Sequence, residues 1–219
     1  MVIVVNKINK ILRKIISIVK KNKYVFISFL VSSICVSVIY TFEHIKPFGN
    51  NSMLDVDFYH QYGPLLNELY DRIKTGESLL YSFNTGGGIP FYRNLLNYLS
   101  SPFNIILFLF KKENIVMAFS IIIGFKSIFA ACTMSLYLKR ILKKDSVYTT
   151  IFSLFYTFSG YFCAYYWNIM WLDGIVFLPL MMFKSWMISN LVIKLLFLLS
   201  VQLLRHDTLE KLDSIVGIC

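Results

Sequence analysis

The chain has 219 residues, of which 57% are hydrophobic and 16% are charged, and its formal net charge is +10. Soluble domains average about a quarter charged residues and less than half apolar ones. The composition excludes a disordered chain, which carries far less apolar surface. It also argues against a soluble globule, because several apolar stretches approach the roughly 20 residues that cross a bilayer.

The positive charge is concentrated in two clusters, and each cluster flanks a long apolar segment. Seven basic residues and no acidic residue precede Tyr24, and residues 139–145 hold four basic residues and Asp145. This distribution is typical of a polytopic membrane protein whose Lys and Arg residues stay in the cytoplasm. A polybasic nucleic-acid arm is the alternative. Because the charge sits beside apolar segments, we expect a lipid bilayer as partner and no nucleic acid.

Residues 1–23 predict a basic amphipathic helix on the cytoplasmic membrane surface. Apolar residues recur at i, i+3, i+4 and i+7 over residues 8–19, with lysines on the opposite face. Residues 24–42 predict the first membrane span. No small-residue cleavage site follows it, so we expect an uncleaved anchor with a cytoplasmic amino terminus.

An outer loop, residues 43–114, is predicted next. Its polar part contains an amphipathic helix that Pro64 can start and Gly76 can stop, with an apolar stripe of Leu66, Leu69, Tyr70 and Ile73. Residues 95–110 are apolar but short, and Ser100, Ser101 and Pro102 interrupt them. If this segment crossed the membrane, the 139–145 cluster would fall outside, against the charge rule. We therefore predict a re-entrant or surface helix.

Three more spans are predicted after the outer loop. Residues 115–138 run inward, residues 147–167 run outward, and the fourth span returns through Pro179 to about residue 188, after an outer hairpin at residues 168–173. Residues 191–219 form a divergent tail, and whether residues 191–204 span stays open. The sequence thus predicts an all-α polytopic membrane protein with about four transmembrane helices plus amphipathic surface helices, its membrane region being residues 24–190.

Asp55 and Asp57 are the first candidate site residues, in the outer loop just beyond the first span. A carboxylate there can act as a general base or hold a divalent cation, which is the candidate cofactor. The alternative is a solvated loop in which both serve as turn or cap residues. Their setting favours a site, because Gln61 and Tyr62 add polar and aromatic groups at the membrane surface.

Lys126 lies midway along the second predicted span, too far from either end for its side chain to reach water. A buried ammonium needs a partner or a wet cavity, so a functional role and a structural ion pair both stay open. Asp173 is expected at the outer boundary, either facing the same cavity as Asp57 or as a hairpin turn residue. Residues 85–88, Thr-Gly-Gly-Gly, can present backbone N–H groups to a phosphate or form a flexible turn.

Several ordered motifs together resemble the amino-terminal part of the YfhO family of bacterial membrane proteins. They are Asp57 with Gln61-Tyr62, Tyr81-Ser82 with Gly86-Gly87-Gly88, Asn97-Tyr98 with Ser101-Pro102, Lys126, Phe158-Ser159-Gly160, and Asn168 through Trp171-Leu172-Asp173 to Leu178-Pro179-Leu180. The resemblance covers roughly residues 24–182 and is expected to stop after Met182.

The resemblance implies a membrane glycosyltransferase of the GT-C type. Such a protein takes a sugar from a polyprenyl-phosphate carrier on the outer face and attaches it to a cell-envelope polymer such as a teichoic acid. By resemblance Asp57 matches the catalytic loop aspartate and Asp55 is the fallback. Candidate substrate-binding residues are Gln61, Tyr62, Arg93, Lys126 and Asp173; Lys126 and Arg93 are the cations that could meet the leaving phosphate.

Family members are several times longer, so the resemblance also implies an incomplete fragment whose own activity is in doubt, and a partner membrane chain could supply missing spans. The alternatives are a transporter or flippase subunit that uses Lys126 to bind an anionic headgroup, and a non-catalytic membrane remnant. The sugar and the acceptor stay unassigned.

Overall fold

The structure is a computed structural model that describes residue 17 and residues 19–182. Within these residues the chain is helical and forms no β-strand, in agreement with the all-α prediction. The α-helices that place the candidate site are α1 (Lys23–Phe42), α2 (Gly63–Thr75), α3 (Phe91–Tyr98), α4 (Ile115–Leu142), α5 (Val147–Thr157), α6 (Gly160–Ala164) and α7 (Ile169–Met181). A π-helical turn at Phe58–Tyr62 and 3₁₀ segments at Pro102–Leu109 and Lys112–Asn114 complete the path.

Two of the four predicted spans are helices of spanning length. α1 has 20 residues, and the helical stretch Lys112–Leu142, which contains α4, has 31; each has a mean hydropathy of 2.2. At about 1.5 Å of rise per residue, α1 alone extends roughly 30 Å, the thickness of a bilayer core. By length and composition both helices can cross a membrane.

The predicted third span differs from the structure, and the fourth is described only in part. Residues 147–167 do not form one helix, because α5 ends at Thr157 and Ser159 adopts an extended backbone (ψ 155°) before the five-residue α6. The predicted outer hairpin at residues 168–173 is also wrong, since α7 begins at Ile169 and Asp173 lies inside it. α7 has 13 residues, and the rest of the predicted fourth span lies outside the described residues.

The outer-loop helix begins and ends where Pro64 and Gly76 predict. Pro64 stands in the first turn of α2, where its missing N–H has no helical partner to lose, and Gly76 ends the helix in the left-handed region (φ 76°). Leu66 and Leu69 are buried, but Ile73 at the end of the predicted stripe is exposed. Residues 95–110 are divided between α3 and a 3₁₀ segment, which is not the continuous helix that a crossing requires.

α1 packs closely against α4 and α5 through small residues. A Cβ added to Gly124 of α4 would lie 3.2 Å from the Tyr40 hydroxyl and from Val36, both on α1. On the neighbouring face the Ser28 hydroxyl is 3.2 Å from the hydroxyls of both Thr150 and Ser153. Small residues allow backbones to approach, and hydroxyl pairs between helices hold apolar helices together in lipid.

The described part of the first basic cluster meets the second cluster at one end of this bundle. The Lys139 ammonium donates to the Lys21 carbonyl and to Asn22 Oδ1 (2.9 Å), and it pairs with Asp145 at 3.4 Å. The start of α1 and the end of α4 therefore share one end, which we call the basic end. The connection that joins the end of α1 to the start of α4 consequently lies at the opposite end.

The outer loop and the bundle share one apolar core. Phe58, Leu66, Phe91 and Leu107 from the loop are buried together with Phe119 and Ile122 of α4 and Leu172 of α7. The loop is therefore seated on the bundle as a packed layer. The predicted amphipathic helix over residues 8–19 falls almost entirely outside the described residues, and the predicted tail, residues 191–219, lies wholly outside them.

Candidate functional site

Asp57 sits at the start of the π-helical turn, between the end of α1 and α2. The next residue, Phe58, is fully buried and packs on Phe119 of α4, with ring centroids 5.3 Å apart. At the end of the turn the buried Tyr62 donates its hydroxyl proton to Asn168 Oδ1 at 2.7 Å. These two anchors hold the turn against the bundle. Asp57 itself is half-buried, and its carboxylate makes no protein hydrogen bond or ion pair among the described residues.

Asp55, in contrast, is already engaged. It is exposed, and its carboxylate accepts a hydrogen bond from the hydroxyl of Tyr166, in the turn before α7. Burial, followed by this hydrogen bond and the Asp55 charge, raises the pKa of Tyr166 to about 12. Tyr166 therefore stays protonated and keeps donating. Of the two predicted carboxylates, Asp57 is the one without a partner in the part of the chain that the structure describes.

A mostly apolar cavity of about 390 Å³ borders Asp55. It lies between α1, α4 and α6, and its walls include Tyr40, Ile123, Phe158 and Phe162, with Asp55 and Tyr166 at the polar side. A cavity of this kind suits a hydrocarbon chain more than a polar ligand.

A second, polar cleft of about 590 Å³ is bordered by residues of the outer loop, and we call it the loop cleft. Residues that line it include Gln61, Glu68, Arg72, Thr85, Gly86 and Asn94. His60 and Gln61, from the π-helical turn, form one edge. Along the chain, Asp57 thus stands between Asp55, which borders the apolar cavity, and Gln61, which borders the polar cleft.

Glu68 organises the wall of the loop cleft. Its carboxylate pairs with Arg72 one turn later on α2 (2.8 Å) and accepts hydrogen bonds from the side chains of Ser82, Asn84 (3.5 Å) and Thr85 (3.4 Å). The Arg72 guanidinium also lies over the Phe91 ring, 4.8 Å from its centroid. The returning loop is therefore fastened to α2 by one carboxylate.

The glycine run at residues 86–88 forms the turn of this loop. Gly86, Gly87 and Gly88 all have positive φ, which side chains disfavour, and the backbones of Ser82 and Ile89 pair across the loop at 2.9 Å. Thr85 points to the Glu68 carboxylate. A carboxylate at this place opposes a phosphate, so the geometry favours the turn interpretation of the motif.

Lys126 is buried in an ion pair. Its ammonium lies 2.9 Å from Asp173 Oδ1 on α7, donates to the Ile169 carbonyl at 2.7 Å, and lies 5.6 Å from the centroid of the Phe103 ring. Asp173 Oδ1 also accepts a hydrogen bond from Ser101 at 3.1 Å. The side chains of Lys126 and Asp173 are 1% and 13% exposed. Neither of them lines the loop cleft.

The predicted site residues therefore do not meet at one point. Gln61 borders the cleft, Tyr62 is buried against Asn168, and Lys126 pairs with Asp173 inside the bundle. Arg93 is exposed on α3 beside the cleft residue Asn94. No three His, Cys, Asp or Glu side chains within the described residues come close enough to hold a metal, so the donors for a divalent cation are not assembled there.

Sequence reasoning missed Glu68, Arg72 and Asn94. Glu68 and Arg72 stand four residues apart on a helix, a spacing that predicts an ion pair on a solvated face. Only the return of residues 82–85 makes that pair a cleft wall. Asn94 carries no local signal at all.

Comparison with known proteins gives one family. The model of the family described as "Bacterial membrane protein YfhO" matches residues 28–201, so the likeness extends beyond Met182, where it was expected to stop. No curated protein and no solved structure matches significantly. Motif residues that are distant in sequence, such as Tyr62 and Asn168 or Ser101 and Asp173, are in contact. The chain belongs to the YfhO family of bacterial membrane proteins.

Proposed function

We propose that this protein takes part in sugar transfer from a polyprenyl-phosphate carrier to a hydroxyl group of a cell-envelope polymer such as a teichoic acid, in the manner of GT-C type glycosyltransferases. One observation carries the proposal. Asp57 is a half-buried carboxylate without a protein partner among the described residues, and in sequence it lies between Asp55, which borders the apolar cavity, and Gln61, which borders the polar cleft. Such a reaction needs a lipid-linked donor and a hydroxyl-bearing acceptor on either side of a base.

In the proposed reaction the acceptor oxygen attacks the anomeric carbon of the sugar. The bond from that carbon to the phosphate oxygen breaks, and polyprenyl phosphate leaves with the electron pair. Asp57 accepts the proton of the acceptor hydroxyl, which raises the nucleophilicity of its oxygen. Arg93 is the proposed cation for the leaving phosphate, because it is an exposed cation of the outer loop.

The buried Lys126–Asp173 ion pair argues against the flippase alternative. That alternative needs a free Lys126 ammonium for an anionic headgroup, but Asp173 and the Ile169 carbonyl already occupy it. We assign Lys126 and Asp173 to holding α4, α7 and the Ser101 loop together.

The proposal requires the outer loop to face outward. The shared basic end supports this topology, because Lys and Arg residues are retained in the cytoplasm. A reporter inserted near Gln61 that is active in the cytosol would contradict it.

The test is sugar transfer by membranes that carry this chain, with a radiolabelled polyprenyl-phosphate sugar as donor. Asp57→Asn keeps the shape of the side chain but removes the base, so transfer should fall at least about 100-fold. Asp55→Asn is the matched control and should lose much less, because Asp55 is bound to Tyr166. Equal losses in both variants, or full activity of Asp57→Asn, would overturn the assignment.

A further inference from the structure

Asn94 is an unexplained polar residue in the wall of the loop cleft. It stands in the first turn of α3, it is 8% exposed, and its side-chain nitrogen is buried with no hydrogen-bond partner among the described residues. A buried donor without a partner destabilises the folded protein. Native proteins rarely keep such a group unless water, an ion or a ligand satisfies it.

The charged residues at the centre of the wall already have protein partners. Glu68 accepts from Arg72, Ser82 and Thr85, and Arg72 also donates to the Ser78 carbonyl. These contacts form a preformed frame. Within the described lining of the cleft, Asn94 is the residue with a buried side-chain donor left over.

The charge of the cleft selects against anions. Glu68, Asp71 and Glu77 line it together with Arg72, and Lys112 pairs with Asp71 from the segment before α4. Three carboxylates thus face two cations, and Arg72 lies within 4 Å of both Glu68 and Glu77. A phosphate would meet net negative charge, whereas hydroxyl groups can donate to these carboxylates.

The size and lining fit a small polar molecule. The volume of about 590 Å³ lies within the usual range of small-molecule sites. Gly86 keeps that part of the wall free of a side chain.

We propose that the loop cleft binds an uncharged, hydroxyl-rich segment, a sugar or polyol unit, with Asn94 donating to one of its oxygens, and that it rejects phosphate at the same place. This deepens the proposed function and rests on it in one respect: the bound unit is taken to be the part of the acceptor that is presented to Asp57. The phosphates of a teichoic-acid chain would then lie outside the cleft.

The experiment measures binding to the full chain in lipid nanodiscs with no donor present. The probes are glucose and glucose 6-phosphate, followed by saturation-transfer NMR. We expect glucose to bind and glucose 6-phosphate to bind more weakly. Absence of a glucose signal, or tighter binding of the phosphate ester, would overturn the inference.

Asn94→Leu tests the residue itself. It removes the unpaired amide while keeping the volume, so the melting temperature should not fall and the Kd for glucose should rise about five- to tenfold. Asn50→Leu, at an exposed position outside the cleft, is the matched control and should change neither value. If Asn94→Leu does not fold, Asn94→Ala gives the same comparison. An unchanged Kd in the folded variant would refute the role of Asn94.

Failure of this inference differs from failure of the proposed function. Sugar transfer that depends on Asp57, with no glucose binding in the cleft, would refute only the inference. Glucose binding that depends on Asn94, in a chain whose transfer does not depend on Asp57, would refute only the proposed function.

Discussion

Two ion pairs are largely buried, Lys126–Asp173 and Glu68–Arg72, but one lies in the packed bundle and the other in the wall of a cleft. The first joins α4 to α7 inside the bundle, and Ser101 and the Ile169 carbonyl complete its hydrogen bonds. The second lies within one helix, α2, and its carboxylate reaches out to a loop that borders an open cleft.

The difference shows that a buried ion pair can stabilise helix packing in one region and shape a binding surface in another. In the bundle, the Ile169 carbonyl and the Ser101 hydroxyl complete the ion pair, which closes the contact between α4 and α7. In the outer loop, the Glu68 carboxylate of the pair accepts hydrogen bonds from Ser82 and Thr85, and the polar wall formed in this way is open to a ligand. Three variants test this contrast, beginning with the largest expected effect.

Lys126→Met should destabilise the protein most. It leaves the Asp173 carboxylate buried without its ammonium, and breaking a buried pair in this way costs about 3–5 kcal/mol. Denaturant unfolding in detergent measures the loss. The double variant Lys126→Met with Asp173→Leu should recover much of it, because no charge is then left uncompensated.

Lys112→Met is the control for that experiment. Its partner Asp71 is partly exposed, and exposed pairs contribute about 0–1 kcal/mol. If Lys126→Met were as stable as Lys112→Met, the Lys126–Asp173 pair would not hold the bundle, and the contrast between the two regions would fail.

Glu68→Gln should have a smaller and more local effect. It weakens the charged hydrogen bonds that fasten residues 82–85 to α2, a loss of about 1.5–3 kcal/mol confined to this region. Hydrogen exchange should accelerate at the amides of Ser82 and Ile89, which pair across the loop. Glu77→Gln is the matched control, since Glu77 is mostly exposed and 3.9 Å from Arg72. Faster exchange throughout α4 instead would show that the two regions unfold together.

The Tyr166–Asp55 contact, which joins the outer loop to the turn before α7, should show the smallest effect. The pKa of Tyr166 is raised to about 12, so between pH 10 and 12 the unfolded chain loses this proton before the folded one does. Stability from this group is therefore complete below pH 10 and declines as the pH rises towards 12.

Asp55→Asn should move the pKa of Tyr166 partly back towards 10, because burial, the larger cause, remains. Tyrosine ¹³Cζ NMR reads this pKa directly. Asp71→Asn, a carboxylate elsewhere in the loop, should leave it unchanged. If Asp55→Asn left the pKa of Tyr166 unchanged, Asp55 would not be bound to Tyr166. The preference for Asp57 as the base would then lose its support.

Helix position in this protein follows from short-range signals. The apolar runs of α1 and α4 and the Pro64 and Gly76 boundaries of α2 can be read from the sequence, since hydropathy and backbone restriction are local properties. Helix continuity is harder to read. The apolar stretch over residues 147–167 looks like one span, yet it breaks at Ser159, because hydropathy reports the surroundings of a segment and not its hydrogen bonding.

Hydropathy and charge patterns predict the helical class, the two long apolar helices, the segregation of positive charge and the need of the buried Lys126 ammonium for a partner. The folded chain alone shows that Asp173 is this partner, that Asp55 bonds with Tyr166, and that Glu68 and Asn94 line the same cleft. The physical reason is the range of the interactions. Backbone preference and burial act within a few residues, whereas the Lys126–Asp173 pair and the loop cleft exist only where segments far apart along the chain come to rest against each other.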